Sequence, residues 1–394
     1  MRIAVFIKAT TFHKGHGGLE TQNKALCEGL VRRNHEITVF SPQKDLTKTE
    51  AFEGGVSYVF VPSVYRLGIA SSRDKNNWLN RSSAVFSEMH QKSKFDLVLS
   101  QSSAGLGVIK NKNHFNIKVI SISHGTIVSE FNSAVRDLKK PKEIAKLMLD
   151  SVHVLRNFFG RQRGFVYGSD KVIAVSNYVK KALIDETFVA DDFVEVINNG
   201  VDPSIFENLS KTQSSKIRLI YIGRILKIKG IFNLISVLEK MKNETLQLDI
   251  VGGGEDFDEL AGFIKKKSLP NVHLHGNLAY AEAMAKLFDS DILVMPTLRI
   301  EGFPMVLAEA MFCSLPIVAT NTGGTSDGVI DGKTGYLVAP GNLVDLQDKI
   351  TTLVNNADLR KEMGQNGKIY AQSNFSIDIM LDKYEKVFKE VLKA

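Results

Sequence analysis

The feature that most restricts this chain is a series of short apolar runs, each followed by an amphipathic helical stretch, that occurs twice over. The first series is MRIAVFI, HEITVFS, FDLVLSQ, IKVISISH, KVIAVS and VEVINNG; the second is IRLIYIG, LQLDIVGGG, VHLHGN, DILVMPT, LPIVAT and TGYLVAP. Strands this apolar need cover on both faces. The helices between them supply it, which predicts doubly wound α/β domains with parallel sheets. The polar stretch ENLSKTQSSK separates the two series, and 394 residues exceed what one core usually holds. The expected organisation is a Rossmann-like domain over residues 1–204 and a second over 205–373. A final helix over 374–394 is expected to pack back across the seam between them. The two domains would face a central cleft, lined by the residues just after the carboxyl ends of the strands.

Composition removes several classes of function. Runs such as IAVFI and DILVMP fall short of the roughly 20 apolar residues a membrane helix needs. Met1-Arg2 leads directly into a strand pattern without a secretory signal, so the mature chain is expected to begin there, in the cytoplasm. Cys27 and Cys313 both lie in helix-like apolar settings, which argues against a disulfide framework. A net charge of +7 suits a phosphorylated substrate or an anionic membrane surface, and no nucleic-acid partner is expected. Residues 130–165 interleave KKPK, Arg161 and Arg163 with Met, Leu and Phe. That segment reads either as an amphipathic insertion or as a patch for an acceptor or for the inner face of a membrane.

The stretch EGFPMVLAEAMF places Glu301 and Glu309 either side of a turn, the second on an apolar helix. Pro304 suits the first helical turn because its missing N–H would have no partner there. Backbone N–H groups at Phe303, Met305 and Val306, with the positive helix end, form a receptor for a phosphate. Glu309 lies five residues in, roughly 7–8 Å along the axis. That matches the reach from a nucleotide's phosphate to its ribose, whose two hydroxyls a carboxylate can accept. A solvated helix position is the plainer alternative. Glu301 would face the other end of the same ligand.

After the first strand of the second series comes GRILKIKG. Gly223 allows a tight exit, Arg224 offers a planar fork and Lys229 a compact charge, a pair that fits a diphosphate as well as ordinary surface charge. In the first half, Gly17-Gly18 sits between a strand and a helix, where bare amides could approach a phosphate or an acceptor, or simply make a tight connection. His124 ends a strand, placed to bond a sugar hydroxyl or to play a structural part. Asp289-Ser290-Asp291 precedes its strand and reads as a cap and turn, and His273 with His275 has no third ligand nearby, so no metal is expected.

Together these pieces resemble the retaining, nucleotide-sugar-dependent glycosyltransferases of family 4, which have the two-domain GT-B architecture. The most specific match is EGFPMVLAEAM…LPIVATNTGG…DGKTGYLVAPGN; GGLE, HGT, AVSNYV, NNGVD and GRILKIKG support it. The resemblance implies that Arg224 and Lys229 bind the donor diphosphate and Glu309 the ribose. It gives the donor sugar to Glu301 with the Gly302-Phe303 backbone, and to His124 from the other domain. It implies no metal or organic cofactor, a nucleotide-diphosphate-sugar donor with a UDP-sugar favoured, and a glycan or lipid-linked glycan acceptor. The chain departs from the family after Gly323-Gly324, with Ser326-Asp327-Gly328 where Pro-Glu is frequent. No residue presents itself as a covalent nucleophile, so front-face substitution with retention is expected. A sugar-nucleotide epimerase or phosphorylase, or a non-catalytic nucleotide-sugar-binding subunit, would use the same fold.

Overall fold

The computed structural model describes residues 1–15, 17–64, 76–136, 155 and 157–393. It divides into two compact units. The first takes in the described residues of Met1–Phe131, Pro141–Gly200 and Ile377–Ala394, the second those of Asn132–Lys140 and Val201–Ser376.

The first unit is built on β1 (Arg2–Phe6), helix α1 (Gly18–Arg32), β2 (Glu36–Pro42), β3 (Glu50–Glu53), β4 (Val56–Val61), β5 (Leu97–Gln101), β6 (Lys118–Ser123), β7 (Lys171–Ala174) and β8 (Val194–Val196). The strands form one sheet in the order β3-β4-β2-β1-β5-β6-β7-β8. Only the β3–β4 pair is antiparallel. Ile3, Ala4, Val5 and Phe6 are all buried, the signature of a strand covered on both faces. The β3–β4 hairpin was not among the expected strands. Gly54 and Gly55, at φ 58° and 79°, supply the two positive φ values of a two-residue hairpin turn, and that Gly-Gly pair was the available signal. The exposed polar residues of EAFE concealed it.

The second unit contains β9 (Ile217–Ile222), α2 (Ile231–Met241), β10 (Leu246–Val251), β11 (Val272–Gly276), α3 (Tyr280–Phe288), β12 (Ile292–Met295), α4 (Met305–Phe312), β13 (Ile317–Thr320) and β14 (Gly335–Val338). Its sheet runs β11-β10-β9-β12-β13-β14 and is parallel throughout. Leu219, Leu248, Ile250, Ile292, Val294 and Val318 bury their side chains in one core with Leu234, Ile235 and Leu238 of α2. Strand order reverses between β9 and β12. In an open parallel sheet the carboxyl edge at such a reversal is where a ligand crevice is expected.

The last helix, α5 (Ile377–Lys393), belongs to the first unit and packs on α1. Its buried residues Ile377, Met380, Leu381, Tyr384, Val387, Phe388 and Val391 follow helical spacing. A Cβ on Gly29 of α1 would lie 2.7 Å from Leu381 Cδ1, so the glycine lets the helices close. Arg33 then reaches Glu385 at 3.1 Å, and His35 Nε2 meets the same carboxylate at 2.8 Å.

In the second unit the loops after β9 and β12 are stitched together. Leu298 N donates to Ile228 O at 2.8 Å. Gly230 has φ 73°, and a Cβ there would stand 1.9 Å from Pro296 O. Gly230→Ala should therefore lower stability by about 1–3 kcal/mol in urea denaturation. An unchanged midpoint would mean that the two loops do not need this close approach.

Candidate active site

The crevice between β9 and β12 gathers most of the second unit's sequence-predicted residues. Gly223 leaves β9 with its N–H bonded to Val251 O at 3.0 Å, and the Tyr221 hydroxyl donates to Arg224 O at 2.9 Å. Burial, aided by the nearby Glu301 carboxylate, pushes the Tyr221 phenol well up, so it stays a donor. Arg224 is exposed. Five residues on, Lys229 Nζ lies 2.6 Å from Glu301 Oε1, with the two side chains only 19% and 15% exposed. The Thr297 hydroxyl, just beyond β12, donates to the same Glu301 oxygen at 3.1 Å.

The Glu301 backbone is held as firmly as its carboxylate. Gly324 N donates to Glu301 O at 2.8 Å, and Gly323 forms a parallel bridge with Glu301. Gly323 has φ 59°, and a Cβ there would stand 2.1 Å from Glu301 O. Three loops thus converge on one acid. Lys229 and Glu301 partly offset each other's charge, and Arg224 with the amino end of α4 adds positive charge able to draw in an anion.

Pro304 has φ −69° and ψ 114°, so it is extended and caps α4 from outside, rather than occupying the first helical position expected for it. Leu307 N already bonds Pro304 O at 3.1 Å, and Met305 and Val306 are the first two helical residues. Gly302 forms the bend before the helix, and Phe303 anchors it by packing on Phe375, ring centroids 5.1 Å apart. Glu309 is only 5% exposed, set among Leu307, Ala308, Ala310 and Met311. The Tyr280 hydroxyl on α3 donates to Glu309 Oε1 at 2.9 Å. Burial raises the Glu309 carboxyl to about 7 against the opposing pull of that hydrogen bond. Sequence reasoning missed Tyr280 and Thr297. Thr297 had a strand-end position to betray it, whereas Tyr280 opens a helix with nothing local to mark it.

The remaining predicted residues lie in the first unit. Gly17 precedes α1, and its N–H donates to Glu20 Oε2 at 2.8 Å, so this amide is already occupied; Gly18 begins the helix. His124 follows β6 directly, half-buried, with Nε2 2.6 Å from Gln101 Oε1. Gln101 Nε2 donates in turn to Asn23 Oδ1 at 2.8 Å. Burial lowers the His124 imidazole to about 4.

The acidic pair before β12 binds protein groups. Asp291 Oδ1 lies 2.7 Å from Lys211 Nζ, while Asp289 accepts from Thr212 and Arg218. His275 Nε2 pairs with Asp249 Oδ1 at 2.5 Å. Among the described residues no group of three or more His, Cys, Asp or Glu is arranged to hold a metal ion.

Glu309 has a defined signature against pH. Its folded pKa of about 7 lies above its ordinary 4.5, so its contribution to stability is complete below pH 4.5 and is lost as pH rises through 7. Glu309→Gln keeps an acceptor for Tyr280 without a buried charge. At pH 8 that variant should be more stable than the parent by up to about 3 kcal/mol. Denaturation at a series of pH values should show the gap closing below pH 4.5. A gap independent of pH would assign the titration to another group.

Residues 205–370 match the family model described as Glycosyl transferases group 1, and residues 16–205 the model described as Glycosyltransferase Family 4. An uncharacterized glycosyltransferase of Methanocaldococcus jannaschii is 33% identical over 241 residues, which are 60% of this chain and 65% of that protein. The chain thus spans just under two thirds of that relative. A second glycosyltransferase of the same organism is 27% identical over 395 residues, covering 95% of each. The structure of Anabaena HepE in complex with UDP-glucose superposes with a TM-score of 0.72 at 18% identity, covering 99% of this chain and 100% of that one. At this identity the likeness speaks for the fold, GT-B, with its two parallel-sheet α/β domains. The chain belongs to the group 1, family 4 glycosyltransferases and is a transferase enzyme of that class.

Proposed function

We propose that the enzyme moves a hexose-like sugar from a nucleoside diphosphate sugar to a glycan or lipid-linked glycan, with retention at the anomeric carbon and without metal or organic cofactor. The observation that carries this reading is the Lys229–Glu301 contact at the β9–β12 crevice, with Arg224 exposed beside it. One cation there is poised by an acid, another stands open to solvent at the exit of β9, and the amino end of α4 follows Glu301 in the chain. A diphosphate flanked by a sugar meets all three. UDP is the favoured nucleotide, supported by the UDP-glucose bound to the Anabaena relative in fold.

In this reading Arg224, Lys229 and the Met305–Val306 end of α4 hold the diphosphate. Glu309 accepts the ribose hydroxyls, and Glu301 with the Gly302-Phe303 backbone receives the sugar. The acceptor oxygen bonds to the anomeric carbon on the face from which the β-phosphate oxygen departs, and the acceptor's proton passes to that oxygen. Negative charge grows on the leaving diphosphate as the bond breaks. Fixed cations at that point lower the barrier because they need no reorganisation. His124 contacts the sugar through its neutral imidazole, and the Gly17-Gly18 turn borders the donor.

Lys229→Ala should lower kcat/KM by about 10²-fold with UDP-sugars. Glu301 loses its ion partner in that variant, so stability is measured alongside. Unchanged turnover would remove Lys229 from the mechanism. An isotope-labelled donor separates the chemistries, since an epimerised donor or a requirement for free phosphate would refute transfer. A thermal-shift panel of nucleoside diphosphates should show stabilisation by the true nucleotide, because a ligand bound only to the folded state raises its melting temperature.

We further propose a cytoplasmic enzyme that rests on anionic lipid through the basic and aromatic segment of residues 130–165. Residues 137–154 and 156 lie outside the described residues. In the described part, Phe159 is 58% exposed and the Arg163 guanidinium stacks over Phe159 at 5.6 Å and Tyr167 at 5.1 Å. No helix of the described residues is long and apolar enough to cross a membrane. Sedimentation with liposomes should show binding that rises with anionic lipid; equal binding to neutral vesicles would oppose it.

A further inference from the structure

A chain of three buried or half-buried polar side chains, Asn23, Gln101 and His124, is more specific than the proposed sugar contact requires. Gln101 is the last residue of β5 and is 3% exposed; Asn23, on α1, is 2% exposed. In the register of β5 and β6, Gln101 pairs with Ile122, two residues before His124. Both side chains therefore emerge at the carboxyl edge of the first unit's sheet.

We propose that Gln101 is a positioning residue that holds the His124 imidazole with its proton on Nε2, so that Nδ1 meets the substrate as an acceptor and selects a hydroxyl there. This inference rests on the reading of His124 as a sugar contact. The direction of each hydrogen bond follows from its atoms. Gln101 Nε2 donates to Asn23 Oδ1 at 2.8 Å, which turns the carboxamide oxygen towards His124. That oxygen carries no proton, so across the 2.6 Å contact His124 Nε2 must be the donor. A neutral imidazole has only one N–H, which leaves Nδ1 as a bare lone pair. Burial keeps the ring neutral, with its pKa near 4.

Nδ1 takes no hydrogen bond among the described residues. An unfilled lone pair recognises a donor. A phosphate oxygen at neutral pH has no proton to offer and would face the lone pair with its own negative charge, whereas a sugar hydroxyl can donate. The tautomer thus separates the sugar end of a donor from its phosphate end.

The test is nitrogen NMR at pH 8 on the full chain labelled with 15N-histidine, with the His124 signals identified by their loss in His124→Gln. Nε2 should resonate as a protonated nitrogen and Nδ1 as a bare one. Gln101→Met, close in volume but without the acceptor, should move both signals towards an average of tautomers. Gln101→Glu, which keeps an oxygen facing the ring, should restore the Nε2–H form. A protonated Nδ1 in the parent, or an unchanged tautomer in Gln101→Met, overturns the positioning role. Saturating UDP-glucose should shift Nδ1 as it gains a hydrogen bond, and UDP alone should not. Gln101→Met should weaken UDP-glucose binding about tenfold, as for the loss of one oriented hydrogen bond, and leave UDP binding unchanged. A shift produced equally by UDP, or none with UDP-glucose, overturns the hydroxyl contact. If neither compound binds, the choice of UDP fails and the thermal-shift panel decides the nucleotide-sugar reading, while the tautomer measurements still decide the role of Gln101.

Discussion

Lys229 and Glu301 are 72 residues apart in the chain, yet their charged atoms lie 2.6 Å from each other. That contact exists because β9 and β12 are neighbours in the sheet although β10 and β11 intervene in sequence. The ion pair ties the loop leaving one strand to the loop leaving the other. Both side chains are largely withdrawn from water, so each depends on the other: removing one member of a fully buried pair costs roughly 3–5 kcal/mol, and a partly exposed pair somewhat less. Gly230 and Gly323 enforce the same closeness through the backbone, each where a Cβ would overlap a carbonyl oxygen. The crevice is consequently a stiff frame around one balanced pair.

A paired lysine attracts an anion less strongly than an unpaired one. The excess positive charge comes from Arg224, exposed at the exit of β9, and from the amino end of α4. Glu309, on the same helix, is in the opposite situation: its carboxyl is buried with one phenolic partner and holds its proton up to about neutrality. A fold selected for stability alone would place an apolar residue there. Retaining an acid at an energetic cost is the pattern expected where a polar ligand supplies the missing hydrogen bonds.

In the first unit α1 links packing to polarity. One side of it receives α5, through the space left by Gly29 and the Arg33–Glu385 pair. The helix also carries Asn23, which orients Gln101 and through it His124. The final helix therefore steadies the scaffold from which the histidine's hydrogen-bond chain begins. Glu20, in the first turn of α1, occupies the Gly17 amide, so this helix end is already supplied with an acceptor.

Much of the architecture was legible in the amino-acid order. Twelve expected strands correspond to twelve of the strands seen, because apolar runs of strand length between amphipathic helices have few other solutions. In the β3–β4 hairpin the polar edge strand β3 buries too little to show in the pattern, whereas β4, which buries Val56, Tyr58, Phe60 and Val61, was readable and was missed. Strand-end position singled out Arg224 and Lys229, since the carboxyl edge of a parallel sheet is where loops are free to carry chemistry, whereas Glu301 stood out through the turn before an apolar helix and His124 through the family resemblance. Their partners were another matter. Thr297, Tyr280, Gln101 and Asn23 are ordinary residues in ordinary local sequence, and the neighbours they meet arrive through strand order and helix packing. Local sequence determined which segments become strands and helices and which residues stand at their ends, because those depend on periodicity over a few residues. The tertiary structure alone decided that Lys229 neutralises Glu301, that Tyr280 shares the proton-holding Glu309, and that Gln101 sets the face His124 presents, because hydrogen bonds and ion pairs depend on contacts between residues distant in sequence.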